Sequence, residues 1–317
     1  MSDVAVPVPE RLDQLAIHEQ HDAPANIQDV LQSLREDKVV LIRDVCPEQA
    51  DKIIRDIAEG FSLIERLELQ AGFADFLGHR HKVSQYFMSV NKRLDYHFIS
   101  PHSEGSNFVG MQLASFYCHE NTTDGGETIL MNVNSASQSW SSLRESARRA
   151  KIGQGSLPKH VIARAKGLYQ LQLPNDTLKD GDQILREQKT AIPGLTLLEV
   201  LAEPQQIYSQ ILQKKVYAYW DSIGGVDADS ASQFECMLRQ AGLLREPMGG
   251  LTLRQLDIDA DRRIWRSGVR YADLFNFKIT YKLKPRDLIV QNNLTWTHAA
   301  ANWSPNSGTR NIAASFA

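Results

Sequence analysis

The sequence predicts a mainly β protein of the α+β class, a double-sheet jelly roll with flanking helices. Three observations predict it. Strand-like runs gather toward both ends of the chain, around a middle at about 150–265 that reads as helical and irregular. Strands and helices do not alternate as they do in βαβ units. No glycine-rich dinucleotide fingerprint follows a strand, and no P-loop is present.

The elements follow in order. Residues 1–25 mix Pro, Asp, Glu and Gln and read as an extension running over the surface, ahead of one domain spanning 26–317. "VVLIRDV" (39–45) is a short β-rich run. Pro47 then opens a helix in which Ala50, Ile53, Ile54, Ile57 and Phe61 recur on one face. "MQLASFYC" (111–118) and "ETILMNV" (127–133) read as strands, and "SASQSWSSLRESARRA" (135–150) as a helix. A further helix covers 231–244, with Phe234, Met237, Leu238 and Ala241 to one side. From 277 to 284, Phe277, Ile279, Tyr281 and Leu283 alternate with Lys278, Thr280, Lys282 and Lys284, the pattern of a half-buried strand. "RDLIVQNN" and "TRNIAASFA" supply two more strands after turn residues. Residues from about 150 to 285 are expected to form a helical lid insertion.

The totals exclude several classes. Net charge is −3, so nothing favours nucleic acid or an anionic membrane as a partner. No apolar run approaches 18 residues, and the N-terminus lacks the layout of a signal peptide. Three widely spaced cysteines, Cys46, Cys118 and Cys236, argue against a disulfide framework and against a CxxC zinc site. A cytoplasmic location is the expectation, and the nine histidines become the source of candidate metal ligands.

His102 and Glu104, in "SPHSEGSN", are one residue apart. Acids occupy 38 of 317 positions, so nine histidines make about one such pair expected by chance. One is present, and alone it carries no weight. A non-haem iron(II) oxygenase needs two histidines and one carboxylate on one face of the metal, with the opposite face open. On one strand His102 and Glu104 would point the same way. The third ligand must come from a distant strand, and His298 in "NNLTWTHAAANW" is the best candidate. Twelve residues on, Arg310 offers the planar fork that binds a carboxylate in two prongs. Thr128 can add a hydroxyl to the same carboxylate, after a tight turn that Gly125 and Gly126 permit. His97, His79, His81 and His119 read as packing or loop histidines, and Trp296 and Trp303 as core.

Four segments in this order, "PHSEG", "DGGET", "NNLTWTH" and "SGTRNIAA", resemble the taurine dioxygenase and clavaminate synthase-like superfamily of Fe(II)/2-oxoglutarate-dependent oxygenases. The resemblance implies a double-stranded β-helix core, iron bound by His102, Glu104 and His298, and 2-oxoglutarate held by Arg310 and Thr128. The cofactors it implies are Fe(II), 2-oxoglutarate as cosubstrate, and O2. The sequence departs from the pattern at Asn292, where many members have aspartate, and at Ala314, where many have a second arginine. The implied reaction is hydroxylation of an unactivated C–H bond in a small molecule such as an amino acid or natural-product intermediate, with succinate and CO2 as coproducts. Desaturation or cyclisation would use the same oxidising power. A jelly-roll binding protein without redox chemistry, or a metal enzyme that does not use 2-oxoglutarate, are the alternatives.

Overall fold

The computed structural model describes residues 10–11, 16–18, 26–76, 80–90, 96–104, 111–145, 148–152, 158, 160–161, 183–193, 195–201, 206–219, 227–246, 253–260 and 266–317. Its elements run β1 (Glu10–Arg11), β2 (Ala16–His18), α1 (Ile27–Arg35), β3 (Val40–Ile42), α2 (Pro47–Gly60), α3 (Ile64–Phe76), β4 (Met88–Ser89), β5 (Ile99–His102), β6 (Leu113–Asn121), β7 (Thr128–Val133) and α4 (Gln138–Glu145). Then come β8 (Arg148–Ile152), β9 (Gln183–Lys189), β10 (Thr196–Leu201), β11 (Gln206–Ser209), β12 (Lys214–Tyr217), α5 (Ala228–Gln240), β13 (Phe275–Tyr281), β14 (Leu288–Asn292), β15 (Trp296–Ala300) and β16 (Arg310–Phe316). A single 3₁₀ turn, Tyr271–Leu274, precedes β13.

Two sheets make the core. One has the order β1-β13-β7-β15-β5 and the other β2-β3-β14-β6-β16-β4. From β13 to β16 the chain changes sheet at every step, which is how a jelly roll is wound. Period-2 alternation assigns each side chain to a layer. On β6, Ala114, Phe116 and Cys118 lie in the cluster between the sheets, while Leu113 and Tyr117 belong to the cluster under the helices. Strand β16 repeats this, with Ile312, Ala314 and Phe316 inside and Ala313 outside.

Helices close both outer faces. Asn26 caps α1, its side chain accepting from the Gln28 N–H at 3.2 Å, and α1 buries Val30, Leu31 and Leu34. Pro47 sits at the start of α2, where its missing N–H costs nothing, and Ala50, Ile53, Ile54 and Ile57 are buried as the spacing predicts. Both helices pack on the six-stranded sheet through one apolar cluster. On the five-stranded sheet, α5 contributes Phe234, Met237 and Leu238 and α4 contributes Trp140 to a second cluster.

Two expectations need correction. The middle of the chain is less helical than expected. Among its described residues, β8, β10 and β9 form an antiparallel sheet and β11 and β12 a hairpin, and α5 supplies the long helix. On β9 and β11 the apolar residues are isolated among polar ones and give no alternation to find, and Ile184 and Tyr208 are half exposed. The helix expected over 135–150 stops at Glu145, and Arg148 begins a strand. Within the N-terminal extension, residues 10–11 and 16–18 each add a parallel strand to the edge of a core sheet.

Candidate metal centre

Strand pairing brings the two histidines together. β15 runs antiparallel to β5, and His298 stands directly opposite His102 across 196 residues of chain. Their ring centroids are 4.3 Å apart. Antiparallel partners share a face of the sheet, and this face looks between the two sheets. There the His298 ring lies 4.8 Å from Phe116 and 6.3 Å from Phe316, both from the opposite sheet. The outcome is one buried imidazole and one half-buried imidazole over an aromatic floor.

Glu104 is not on the strand with His102, because β5 ends at His102. Its carboxylate still reaches the pair. Glu104 Oε1 is 3.7 Å from His102 Nε2 and 4.0 Å from His298 Nε2. One donor atom from each of the three residues falls within 4.8 Å of the others, and among the described residues this is the one such cluster. Two imidazole nitrogens and a carboxylate oxygen converging on one point make a donor set suited to a divalent transition metal with open positions.

Neighbouring groups orient the rings. His102 Nδ1 lies 3.0 Å from the Ser100 carbonyl, so Nδ1 carries a proton and Nε2 is the nitrogen turned toward Glu104. His298 Nδ1 lies 3.4 Å from the Gln291 amide nitrogen, while Gln291 Oε1 is buried without a partner. Turning that amide over would place Oε1 on an Nδ1–H, the tautomer that frees Nε2 for a metal, at the expense of the 3.5 Å bond the amide nitrogen donates to the Trp296 carbonyl.

The charges complement one another. Burial pushes the Glu104 carboxyl up, but the facing His102 imidazole and the charge of Arg80 outweigh it and hold it well below the usual carboxylate range. Burial lowers His102, but the facing Glu104 carboxylate outweighs it and leaves the imidazole above its ordinary value. His298 is driven well below its ordinary value, first by burial and then by His102, so it is neutral at pH 7. Sequence reasoning missed Arg80, which donates from Nη2 to Glu104 Oε1 at 2.8 Å and lies over the Phe316 ring. Its only signal was a lone arginine between two histidines, 24 residues from its partner. His79, beside it, lies outside the described residues.

Arg310 and Thr128 are brought to one turn. Thr128 opens β7 opposite Ala300, which puts it on the same face as His298, one pair along. Arg310 opens β16 and donates from Nε to the Gly126 carbonyl at 3.1 Å, with its guanidinium over the Trp303 ring. Burial lowers the guanidinium to about 10, so it stays charged at neutral pH. Both turn glycines are required. A Cβ on Gly125 would meet the Asn302 carbonyl oxygen at 2.1 Å, and Gly126 has φ +75° with Arg310 Cδ 2.8 Å from where its Cβ would be.

No protein-family model and no curated protein matches the sequence. Among solved structures, the chain is similar to AAD-2 in complex with Mn(II) and N-oxalylglycine, at 13% identity and TM-score 0.41, over 99% of this chain and 96% of that one. It is also similar to a taurine dioxygenase from Burkholderia xenovorans, at 12% identity and TM-score 0.36, over 98% of this chain and 87% of that one.

Proposed function

We propose that the chain is a non-haem Fe(II)/2-oxoglutarate-dependent dioxygenase acting on a small molecule. One observation carries the reading: the in-register pairing of His298 with His102, with Glu104 Oε1 facing both Nε2 atoms. The donor set fits a ferrous ion, since it offers two imidazole nitrogens and one carboxylate oxygen and no thiolate. Fe(II) held there would, with 2-oxoglutarate and O2, supply the oxidising power that cleaves a substrate C–H bond, giving succinate and CO2 as coproducts.

The chain's own residues do the rest. His102, Glu104 and His298 are the metal ligands, and Ser100 fixes the His102 tautomer. Arg310 holds the far carboxylate of 2-oxoglutarate with its remaining N–H groups, and Thr128 adds its hydroxyl to the same group. Phe116 and Phe316 keep water from the His298 side of the centre. The substrate is a small polar molecule such as an amino acid or a natural-product intermediate, and hydroxylation is the default outcome. Among the described residues no helix is long and apolar enough to cross a membrane.

The test is succinate formation from 2-oxoglutarate with and without added iron. Iron-dependent succinate that disappears in His102→Ala supports the assignment. Full activity in that variant would remove His102 from the ligand set.

A further inference from the structure

Glu104 lies beyond the end of β5, so no strand ladder fixes its backbone. Its main-chain groups are met instead by one side chain. Asn293 Oδ1 accepts from the Glu104 N–H at 3.1 Å, and Asn293 Nδ2 donates to the Glu104 carbonyl at 2.6 Å. The same Nδ2 donates to the Met111 carbonyl at 2.9 Å, and the Asn293 N–H goes to the Gln112 carbonyl at 2.7 Å. The side chain is fully buried and its two donors and its acceptor are all engaged.

We infer that Asn293 is the positioning residue of the metal centre: its amide takes the place of a neighbouring strand for Glu104 and sets the spacing between that carboxylate and the two imidazoles. The geometry is that of a paired peptide, one acceptance and one donation on the same residue. Asn293 sits in the turn between β14 and β15, five residues before His298. A single side chain thus ties the carboxylate ligand to the strand that carries the distal histidine. Aspartate cannot replace it, because a carboxylate would face two carbonyl oxygens. Glutamine is one carbon too long for the enclosed space.

This inference rests on the metal-binding reading above, and its test separates the two. Co(II), added to the intact protein, is the probe, and binding is followed by its visible absorption. Asn293→Asp and the smaller Asn293→Ser are compared with wild type, with His102→Ala, and with Leu238→Ala. The last is buried on α5 against the outer face of the five-stranded sheet, the face turned away from the centre, and loses stability without touching a ligand. The Asn293 variants are expected to bind Co(II) about 10- to 100-fold more weakly and to give an altered spectrum, while Leu238→Ala keeps wild-type affinity and spectrum at a lower Tm. An Asn293→Asp or Asn293→Ser protein with wild-type affinity would overturn the inference, as would an equal loss in Leu238→Ala. If neither wild type nor His102→Ala takes up Co(II), the metal reading has failed and takes this inference with it.

Discussion

Arg80 donates to the one oxygen of Glu104 that faces both imidazoles, at 2.8 Å. Their side chains are 18% and 21% exposed, so the pair is shielded and not a surface ornament. In the metal-free protein Arg80 is the positive charge that Glu104 needs.

That arrangement gives the first prediction. Arg80→Gln leaves a shielded carboxylate short of a cation and should lower the stability of the metal-free protein by about 1–3 kcal/mol. A divalent ion supplies the missing charge. The rise in Tm on adding Mn(II) should therefore be larger in Arg80→Gln than in wild type. Differential scanning calorimetry with and without Mn(II) checks this, and a smaller rise would show that Arg80 helps the metal bind.

Gly126 carries the second prediction. Its φ of +75° strains any L side chain, and an added methyl would sit 2.8 Å from Arg310 Cδ. Gly126→Ala should displace Arg310 while leaving His102, Glu104 and His298 in place. Steady-state succinate assays should show the KM for 2-oxoglutarate raised about tenfold, a loss of about 1.4 kcal/mol in binding. Metal affinity should be unchanged. Equal weakening of both would mean that the turn also supports the metal centre.

Alkaline pH gives the third. The Tyr117 hydroxyl donates to the Val45 carbonyl at 2.8 Å, and burial pushes it up to about 12. Burial likewise raises Cys118 and Tyr281 to about 12, with Asp287 adding to both. All three must stay protonated in the folded chain but ionise more easily once unfolded. Between their ordinary values and about 12 the unfolded chain therefore binds fewer protons, and stability falls as pH rises. Urea unfolding at pH 8, 9.5 and 11 should show this decline. Tyr117→Phe should make it shallower, and an identical slope would remove Tyr117 from the cause.

Much of this was legible in the sequence because it is local. The one-sided spacing of α2 names its own buried face, and the runs that form β6, β7, β14 and β16 are recognisable as strands by their β-rich composition. His102, Thr128, His298 and Arg310 stand out through their spacing. What could not be read is set by contacts distant in the chain. Nothing near Asn293 says that its amide will meet Glu104, 189 residues earlier. Arg80 looks like any basic loop residue until the fold closes over it. β9 and β12, rich in Gln, Arg and Lys, lack the apolar alternation that marks a core strand.

The central claim is that His102, Glu104 and His298 hold one ferrous ion beside bound 2-oxoglutarate. Anaerobic titration of the protein with Fe(II) in the presence of 2-oxoglutarate, followed by visible absorption, tests it most directly. The account predicts a charge-transfer band that saturates at one iron per chain, is lost in His298→Ala, and needs 2-oxoglutarate. A wild-type protein that develops no band, or a His298→Ala protein that develops the same one, would contradict it.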